Sequence, residues 1–579
     1  MNWPAAGCRT DSGLPATRIS RDLNPHRGGG KTQMKPSSWN LETDVLVVGT
    51  GGAGLTAAII AHDEGAQVTI IEKTDKVGGT TAVSGGIPWI PNNHHMAEIG
   101  ESDSEEEAFN FMKILAQGRT DDALIRTFVE TAPKMLRYLE EHTSLKCDAL
   151  QMPDYKAEIS GGKKKGRSVG PHPFDTNLLG PWKKKLRKSA VAILPMAWAE
   201  YEKSNAINYA PNLDYKMLME RSSKGIVGMG MATVGHLLKG CLDRGIEPLL
   251  ETPARELITE NGGVIGLRAE REGRDFLIRA RKGVILATGG FEWSEELKSA
   301  FLPGAYTHPL SPPACEGDGL KMSMAIGAAL GNMSEVWGVP ASFIPGETYD
   351  GHQLYRLSMP ERCLPHTIMV NRTGRRFVDE SHNYNDVAKV FRVFDPVPYQ
   401  FSNVPAWCIF DQQYREKYWV LSLMPRDPKI PQWLTVADSL EALGEKTGIA
   451  PAGLKETIER FNRFAREGKD PDFQRGETAY DRYCGDPAHT PNPCLGTIEK
   501  PPFYALPVHL GCLGTKGGPR TDAHGRVLHI FGQPIEGLYA AGNAMAGVSG
   551  PGYCGGGCTI GLGMTWGYIA AKHAARKPC

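Results

Sequence analysis

The sequence predicts an α/β protein, α+β overall, in which a Rossmann-like domain carries an inserted capping domain. Apolar runs end in glycine-rich turns at three places, within residues 44–58, 283–291 and 537–543. From about residue 336 to residue 499 the pattern changes to prolines, aromatics and irregular spacing. We therefore expect residues 41–335 and 500–579 to form one domain and residues 336–499 a second domain, inserted into the first.

The first of these segments has the order strand, turn, helix. An apolar run ends at Gly49, and a G-x-G-x-x-G pattern follows at Gly49, Gly51 and Gly54, before an Ala- and Ile-rich helix that ends near residue 62. Gly49 makes the tight turn, Gly51 allows close approach of a pyrophosphate, and Gly54 allows helix and strand to pack closely. The segment therefore predicts a dinucleotide site.

The rest of this βαβ unit supports the same interpretation. A second apolar run, residues 67–71, ends in Glu72, whose carboxylate can accept hydrogen bonds from a ribose hydroxyl. The helix N-terminus offers free N–H groups and a positive dipole end to phosphates. We include Gly52, Ala53 and Lys73 in the predicted site, as members of the same unit.

A loop of small residues follows the βαβ unit. Residues 78–86 contain mostly glycine, threonine, serine and alanine, so that a flat ring can lie against the backbone. The cofactor contacts expected from this loop are Gly79, Thr80, Thr81, Ser84, Gly85 and Gly86.

Two later strand ends complete the predicted cofactor site. Residues 283–291 form an apolar run ending in Ala-Thr-Gly-Gly, and residues 537–543 form a run ending in Ala-Ala-Gly-Asn. A glycine-rich turn at 555–561 then leads into a last helix, predicted for residues 562–576, whose start can supply N–H groups to a ring edge. The expected contacts from these segments are Ala287, Thr288, Gly289, Gly542, Asn543, Thr559 and Ile560.

Bulk composition excludes several classes of protein. Lys+Arg and Asp+Glu are both 65, so no charge excess favours nucleic acid, and the chain has no apolar run long enough for a transmembrane helix. The 12 cysteines show no paired CxxC spacing, which is typical of a reduced, cytoplasmic protein.

Two segments stand apart from the predicted domains. Residues 1–40 have no periodicity and are predicted to be a disordered extension. Residues 183–220 are interpreted as a helical, partly packed insertion. A lid or a peripheral membrane contact remains an alternative role for this segment.

Taken together, the three strand ends resemble the flavoprotein superfamily of fumarate reductases and succinate dehydrogenases. The resemblance covers about residues 41–579, and within the superfamily it is greatest to the 3-ketosteroid Δ1-dehydrogenases. It implies FAD as the cofactor. No metal site is expected, and the cysteines show no zinc-like CxxC pairing. Four local matches carry it: Gly79–Asn93, Asp154-Tyr155 with Gly166–Ser168 and Pro171, Asn371–Tyr384, and Gly550–Gly561. The last match departs from the family at Cys554, which replaces the usual Pro, and at Cys558, which replaces a small residue.

The resemblance also implies the catalytic residues. The Tyr553 hydroxyl and the Gly557 N–H would bind a carbonyl oxygen, Tyr384 would remove a proton from the adjacent carbon, and Tyr155 would assist Tyr384. These roles imply a small-molecule cyclic ketone as substrate, most closely a 3-ketosteroid desaturated at its 1,2-bond, and an unidentified electron acceptor. A free tyrosine has a pKa of about 10, so we expect an alkaline activity optimum.

Three alternatives remain open at this stage. A desaturase of a smaller cyclic ketone, or of another ketosteroid bond, would use the same four residues. A fumarate-type dicarboxylate enzyme would need arginine clamps, and the loop 547–561 contains no arginine. A non-catalytic flavin module would not need the three tyrosines. Arg375 and Arg376 are expected on a solvated turn, and Glu380 is expected to be a structural acceptor.

Overall fold

The computed structural model describes residues 38–204, 212–304, 306 and 308–577. The predicted N-terminal extension lies outside these residues, except for its last three positions. The described residues belong to one compact unit, which contains two large sheets. Among the described residues, no helix combines the length and apolarity needed to cross a membrane.

The strands are numbered in chain order. They are β1 Leu41–Val48, β2 Val68–Ile71, β3 Cys147–Ala149, β4 Val169–Pro171, β5 Phe174–Asp175, β6 Ile226–Val227, β7 Ala254–Glu260, β8 Gly263–Arg271, β9 Arg274–Leu286, β10 His308–Pro309, β11 Leu330–Gly331, β12 Val336–Tyr349, β13 His352–Leu357, β14 Thr367–Asn371, β15 Phe394–Asp395, β16 Gln400–Phe401, β17 Ala406–Asp411, β18 Thr435–Ala437, β19 Phe503–Thr515, β20 Gly518–Pro519, β21 Arg526–Leu528 and β22 Pro534–Ala540.

The helices are numbered in the same way. They are α1 Gly52–Asp63, α2 Gly79–Val83, α3 Glu105–Ala116, α4 Asp122–His142, α5 Trp198–Lys203, α6 Tyr215–Ser223, α7 Met229–Leu242, α8 Glu295–Phe301, α9 Asp318–Ala325, α10 Pro360–Cys363, α11 Tyr384–Val390, α12 Gln412–Lys417, α13 Leu440–Thr447, α14 Pro451–Glu467, α15 Ala479–Cys484 and α16 Cys558–Arg576. Short 3-10 turns include Met96–Ile99, Thr176–Lys184 and Gly542–Ala544.

The first sheet has the parallel centre of a Rossmann-like domain. Its order is β2-β1-β9-β22-β21, with β1 parallel to both β2 and β9, and β22 parallel to β9. Helix α1 packs against α16 and α7 beside this sheet, so the two ends of the described chain meet in one core. The predicted α/β fold class with a Rossmann-like domain is confirmed.

The second sheet is mostly antiparallel. Its order is β13-β12-β19-β17-β14, and β10 and β18 also pair with β19. The central strand, β19, lies after residue 500, whereas its neighbours β12 and β17 lie within 336–499. The second sheet therefore takes strands from both sides of the predicted boundary at 499/500, and the domain boundaries stay a prediction.

The structure differs from the sequence-based expectations in three local features. The strand predicted within residues 283–291 starts earlier and ends earlier: β9 covers residues 274–286, because its first half pairs with β8 and its second half with β1 and β22. Helix α16 begins at Cys558, four residues before the predicted start, since Gly557 caps it in the left-handed conformation at φ +94°. Within 183–220, regular helix is confined to α5 and the start of α6 in the described part.

Candidate active site

The three predicted strand ends lie at one edge of the first sheet. Since β1, β9 and β22 are parallel, the residues after their carboxyl ends, Gly49, Ala287 and Gly542, come together there. A Cβ atom on Gly49 would lie 2.4 Å from the carbonyl oxygen of Ala287. A Cβ on Gly54 would lie 1.9 Å from the carbonyl oxygen of Gly49, which is the close packing of helix and strand that the motif predicts.

Small residues keep the start of α1 open. Gly51 is its N-cap, and a Cβ added there would touch nothing closer than 3.8 Å. The Gly52 N–H donates to the Thr81 Oγ1 at 3.0 Å. Ala53 packs against Gly542 and the backbone of α16, where its carbonyl oxygen would lie 2.3 Å from a Cβ on Gly567. The edge thus joins three separate segments of the chain around one space.

The carboxylate of Glu72 is fixed by hydrogen bonds. Its Oε2 accepts from the backbone N–H of Thr50 at 3.1 Å and from the Thr50 hydroxyl at 2.6 Å. Its Oε1 accepts from the N–H and hydroxyl of Thr74 at 3.0 and 3.1 Å. These four contacts occupy the roughly four acceptor sites of a carboxylate. The ribose contact of Glu72 therefore stays a prediction, and it would require one of these donors to move.

Lys73 and Thr80 both face the segment before α9. The Lys73 Nζ donates to Asp318 Oδ2 at 3.0 Å and also pairs with Glu316. The Thr80 hydroxyl lies 3.6 Å from the Cys315 Sγ. These contacts tie the loop after β2 to residues 315–318, and cofactor contacts of Lys73 and Thr80 remain predictions.

The remainder of the small-residue loop is held by its own hydroxyls. Ser84 Oγ donates to the Thr81 carbonyl at 2.7 Å and accepts the Gly86 N–H at 3.0 Å. A Cβ on Gly86 would lie 2.4 Å from the backbone carbon of Met229. Gly85 is covered by the Trp198 ring, whose Nε1 donates to the Gly85 carbonyl. Gly79 opens α2 and lies close to Gly51.

One polar group at this edge is left for a ligand. The Thr288 Oγ1, between Ala287 and Gly289, is buried and has no hydrogen-bond partner among the described residues, which is the state expected of a group that serves a ligand. Gly542, Asn543 and Thr559 line a small cavity together with Lys516 and Trp337. Asn543 Oδ1 accepts from the Trp337 Nε1 at 2.9 Å, and Ile560 lies half-buried at the start of α16.

The three predicted catalytic tyrosines meet in one hydrogen-bonded chain. The hydroxyl oxygens of Tyr155 and Tyr384 are 2.6 Å apart, those of Tyr384 and Tyr553 are 3.3 Å apart, and the Tyr553 hydroxyl lies 3.2 Å from the Thr559 Oγ1. The rings pack edge to face, with centroids 5.0–5.6 Å apart. All three side chains are buried. Residues 229 positions apart in sequence are thus brought into direct contact.

A buried ion-pair cluster fixes Tyr155. The preceding residue, Asp154, accepts from the Trp89 Nε1 at 2.8 Å and from the Arg167 Nη1 at 2.8 Å. Arg167 also binds Asp103 through two hydrogen bonds of 2.7 and 2.8 Å. The Tyr155 N–H donates to the Cys554 carbonyl, which joins this turn to the loop that carries Tyr553.

A second cluster supports Tyr384. Tyr384 is the first residue of α11, and the side chain of Asn383 caps that helix by accepting the Asp386 N–H at 3.1 Å. Just before the cap, the fully buried Glu380 pairs with Arg376 at 2.7 Å and Arg475 at 3.2 Å. Glu380 is a structural acceptor, as expected. The expectation of a solvated Arg376 is wrong: its side chain is only 4% exposed, because Glu380 and Asp470 together neutralise it.

A buried lysine, Lys516, donates hydrogen bonds to the loop 550–557. The buried Nζ of Lys516 donates to the Gly552 carbonyl at 2.7 Å and lies 4.1 Å from the Trp337 ring centroid. Gly557 ends the loop, where a Cβ would lie 2.1 Å from the Ile87 carbonyl oxygen. The Gly557 carbonyl accepts the Trp89 N–H at 3.1 Å. As the N-cap residue of α16, Gly557 has an N–H outside the helical hydrogen-bond ladder.

Burial dominates the electrostatics of this site. It raises the pKa of Tyr155, Tyr384 and Tyr553 well above the usual value, because the phenolate loses its hydration. It also raises the pKa of Asp154 to about 6 and lowers the pKa of Lys516 to about 7. Cys554 and Cys558, the two departures from the family pattern, are both buried free thiols beside the tyrosines.

Sequence reasoning missed several supporting residues. Lys516, Trp337 and Tyr480, whose ring packs 4.7 Å from that of Tyr155, carry no local motif. Asp154 and Arg167 stood within a quoted match, but nothing in their spacing predicted that they pair with each other. The available signal for Asp154 was its place directly before Tyr155 in the segment that resembles the family.

A Rossmann-type sheet edge and a buried chain of tyrosines together indicate an oxidoreductase that uses a dinucleotide cofactor. The sequence profile of the FAD binding domain family matches residues 44–560. The 3-oxosteroid 1-dehydrogenase of Mycolicibacterium smegmatis is 40% identical over 561 residues, 92% of this chain and 97% of the relative. The 4-oxocyclohexanecarboxylate 2-dehydrogenase of Sinomonas cyclohexanicum is 39% identical over 541 residues, 92% of each chain.

A solved structure agrees with these relatives. The 3-ketosteroid Δ1-dehydrogenase of Sterolibacterium denitrificans, in complex with 1,4-androstadiene-3,17-dione, superposes with a TM-score of 0.86 and 36% identity, covering 92% of this chain and 99% of that one. The chain therefore belongs to the FAD binding domain family and, within it, to the group that contains the 3-oxosteroid 1-dehydrogenases. The predicted FAD cofactor and the family resemblance are confirmed, and the protein is an FAD-dependent oxidoreductase.

Proposed function

We propose that the protein removes two hydrogens from adjacent carbons of a cyclic ketone, and that its substrate is a 3-ketosteroid desaturated at the 1,2-bond of ring A. The observation that carries the proposal is the buried chain of Tyr155, Tyr384 and Tyr553 beside Gly557. Relatives named as 3-oxosteroid 1-dehydrogenases at 37–40% identity support the steroid as substrate.

The proposed roles follow from the need to acidify a carbon. A hydrogen next to a ketone becomes removable when donors stabilise the developing negative charge on the carbonyl oxygen. Tyr553 and the Gly557 N–H are proposed as those donors. Tyr384 is proposed to take the proton from the adjacent carbon, because its hydroxyl lies next to both neighbouring tyrosines. FAD, when bound, supplies the acceptor for the hydride from the next carbon.

Tyr155 is proposed to support the base rather than to touch the substrate carbon. A hydroxyl 2.6 Å away can donate to Tyr384 and stabilise its phenolate. Tyr155 is only 2% exposed to solvent. A proton that moves from Tyr384 to Tyr155 would therefore travel along the hydrogen bond between their hydroxyl groups. The site therefore handles one proton through a chain of phenols, away from bulk water.

The charges around the tyrosines favour a neutral substrate over a dicarboxylate. Arg475 is fully buried and bonded to Glu380, Ser381 and several carbonyls, and Arg362 donates to the carbonyls of Glu380 and His382. Neither guanidinium is free to clamp a carboxylate. A dicarboxylate enzyme of the fumarate type is therefore not our proposal.

A smaller cyclic ketone is the second candidate. The observation that favours it is the relative named as a 4-oxocyclohexanecarboxylate 2-dehydrogenase, which matches this chain as well as the steroid enzymes do. The same tyrosines would serve both substrates. The carboxylate of such a substrate would need a cationic partner in the site.

We further propose a cytoplasmic location and a separate, still unidentified electron acceptor. Each of the ten cysteines in the described part of the chain is a buried free thiol, as is usual in a reducing compartment. The acceptor must restore the oxidised cofactor after every turnover, and no group of this chain is assigned that role.

The deciding experiment is anaerobic bleaching of the bound flavin. The purified holoprotein is mixed with saturated 3-ketosteroids, with 4-oxocyclohexanecarboxylate and with succinate, and its visible absorbance is followed by stopped flow. We expect rapid bleaching by the steroids, with the 1,2-unsaturated steroid as product by mass spectrometry. Bleaching by 4-oxocyclohexanecarboxylate alone would favour the second candidate, and bleaching by succinate alone would reject both.

A further inference from the structure

We propose that His94, His95 and Glu140 form a binding site for a divalent transition-metal ion of the Zn²⁺ class, outside the catalytic centre. The two histidines lie in the loop before the 3-10 turn Met96–Ile99, and Glu140 lies near the C-terminus of α4. One ligand atom from each residue falls within 4.8 Å of the others. Two imidazoles and one carboxylate are the ligands that Zn²⁺ takes in open, three-residue sites.

The distances are close to those of a metal shell. The His94 Nε2 lies 2.8 Å from Glu140 Oε2, and the His95 Nε2 lies 3.0 Å from Glu140 Oε1. In a tetrahedral shell with ligand bonds of about 2.1 Å, ligand atoms lie about 3.4 Å apart. An ion therefore needs each imidazole nitrogen to move away from Glu140 by only about half an ångström, and it would replace the protons now shared between the imidazoles and Glu140, which leave to solvent.

The surroundings supply the supporting hydrogen bonds that metal ligands usually have. The other ring nitrogen of His95, Nδ1, lies 3.1 Å from the Glu98 carboxylate. Glu140 Oε1 accepts the Cys147 N–H at 2.9 Å. A carboxylate behind a ligating histidine and a donor behind a ligating carboxylate orient both groups for a metal. The Nδ1 of His94 is buried and has no partner in the described part of the chain.

The site is both enclosed and accessible. Glu140 is 6% exposed and His95 is 11% exposed, whereas His94 at 24% gives an ion a way in from solvent. The positive neighbours are Lys146, bonded to the Glu140 carbonyl, and Arg137, near His94. The carboxylates of Glu98 and Glu140 balance the charges of Lys146 and Arg137. A divalent ion would therefore bind where the neighbouring side chains carry no net charge.

A second cluster differs in its ligands and in its neighbours. Asp379, His382 and Asp481 also lie close together, but they offer one imidazole and two carboxylates, and the Nζ of Lys156 is 2.5 Å from the His382 Nε2. The charge of this lysine would repel a divalent ion bound there. No such cation lies within hydrogen-bonding distance of the imidazoles of His94 and His95 in the described residues.

The proposed ion would join α4 to the loop that leads from the active site. Asn93 ties this loop to the carbonyls of Ile90 and Gly166 at 2.7 and 2.9 Å. Trp89, one residue before Ile90, holds both Asp154 and the Gly557 carbonyl. A metal at His94, His95 and Glu140 would therefore clamp the far end of the segment that supports the tyrosine site.

The test uses the FAD-loaded holoprotein, stripped of metal with a chelator and titrated with Zn²⁺ alone. We expect one equivalent to bind by calorimetry, and the Tm to rise with Zn²⁺ concentration. Glu140→Gln and His95→Asn should each weaken binding by tenfold or more. His142→Ala, which removes an exposed histidine from the same helix, should bind Zn²⁺ as the parent does.

Spectroscopy separates this site from the buried thiols. Co²⁺ bound in place of Zn²⁺ should show d–d absorption without a sulfur-to-cobalt charge-transfer band, since no cysteine is among the proposed ligands. A strong charge-transfer band, unchanged binding in both Glu140→Gln and His95→Asn, or failure of the parent protein to bind Zn²⁺ would each overturn the proposal.

Discussion

The Tyr553 hydroxyl lies 3.3 Å from that of Tyr384, so the group proposed to hold the carbonyl oxygen and the group proposed to remove the proton are neighbours. In a ketone, the carbonyl oxygen and a hydrogen on the adjacent carbon are only three bonds apart. The two phenols therefore have the spacing needed to act on one ketone at the same time.

Replacing Tyr553 by Phe tests its role as an oxyanion donor. We expect kcat to fall by about 100-fold or more, because a donor that acts in the transition state is lost while the ring is kept. Steady-state turnover with an artificial acceptor dye measures this, and Tyr539→Phe, which removes a buried hydroxyl bonded to His573, is the control. Turnover within a few-fold of the parent in Tyr553→Phe would reject the role.

The pH dependence of turnover tests Tyr384 as the base. Burial raises its pKa above the ordinary value, so the fraction of phenolate increases as the pH rises. We expect the logarithm of kcat to rise with a slope of about one from neutral towards alkaline pH, and Tyr384→Phe to lose about 100-fold or more in activity. A profile that is flat over this range in the parent protein would argue against a tyrosine base.

Two glycines provide a matched test of the cofactor edge. Gly49→Ala puts a Cβ 2.4 Å from the Ala287 carbonyl oxygen at φ +110°, whereas Gly65→Ala has a similar φ of +86° and open space. We expect the FAD content of purified Gly49→Ala to fall by about tenfold or more, because backbone strain of ~1–3 kcal/mol adds to the clash. Gly65→Ala should keep its flavin. Equal flavin content in both would contradict the proposed close approach.

Asp154 gives a prediction for stability. Burial raises its pKa from 3.8 to about 6, so between these values the folded protein holds a proton that the unfolded chain has lost. The free energy of unfolding therefore decreases as the pH rises from about 4 to about 6. The decrease is about 3 kcal/mol, because the two pKa values differ by about two units. Asp154→Asn cannot titrate, so its unfolding free energy in urea should fall less than that of the parent between pH 4 and pH 6. Parallel curves for the two proteins would show that Asp154 does not titrate in this window.

The features that could be predicted from the sequence are those that depend on a short, local pattern of residues. The turn at Gly49, the helix that follows it and the later strand ends were visible because strand, glycine turn and helix are adjacent in the chain. The tyrosines were identified only through family resemblance, since nothing in the local sequence distinguishes Tyr384 from the other tyrosines of the chain. The pairing of Asp154 with Arg167 and the position of Lys516 under the loop 550–557 are long-range contacts. Their energetics depend on burial, which local periodicity does not report.

The packing of α16 against α1 has a consequence for how the protein is made. The proposed cofactor edge includes Gly49, near the start of the described chain, and Thr559, at the start of the last described helix. We therefore expect the two sides of the edge to close only after α16 has been synthesised and has packed against α1. FAD would then bind late in the folding of this chain, after its long-range contacts have formed.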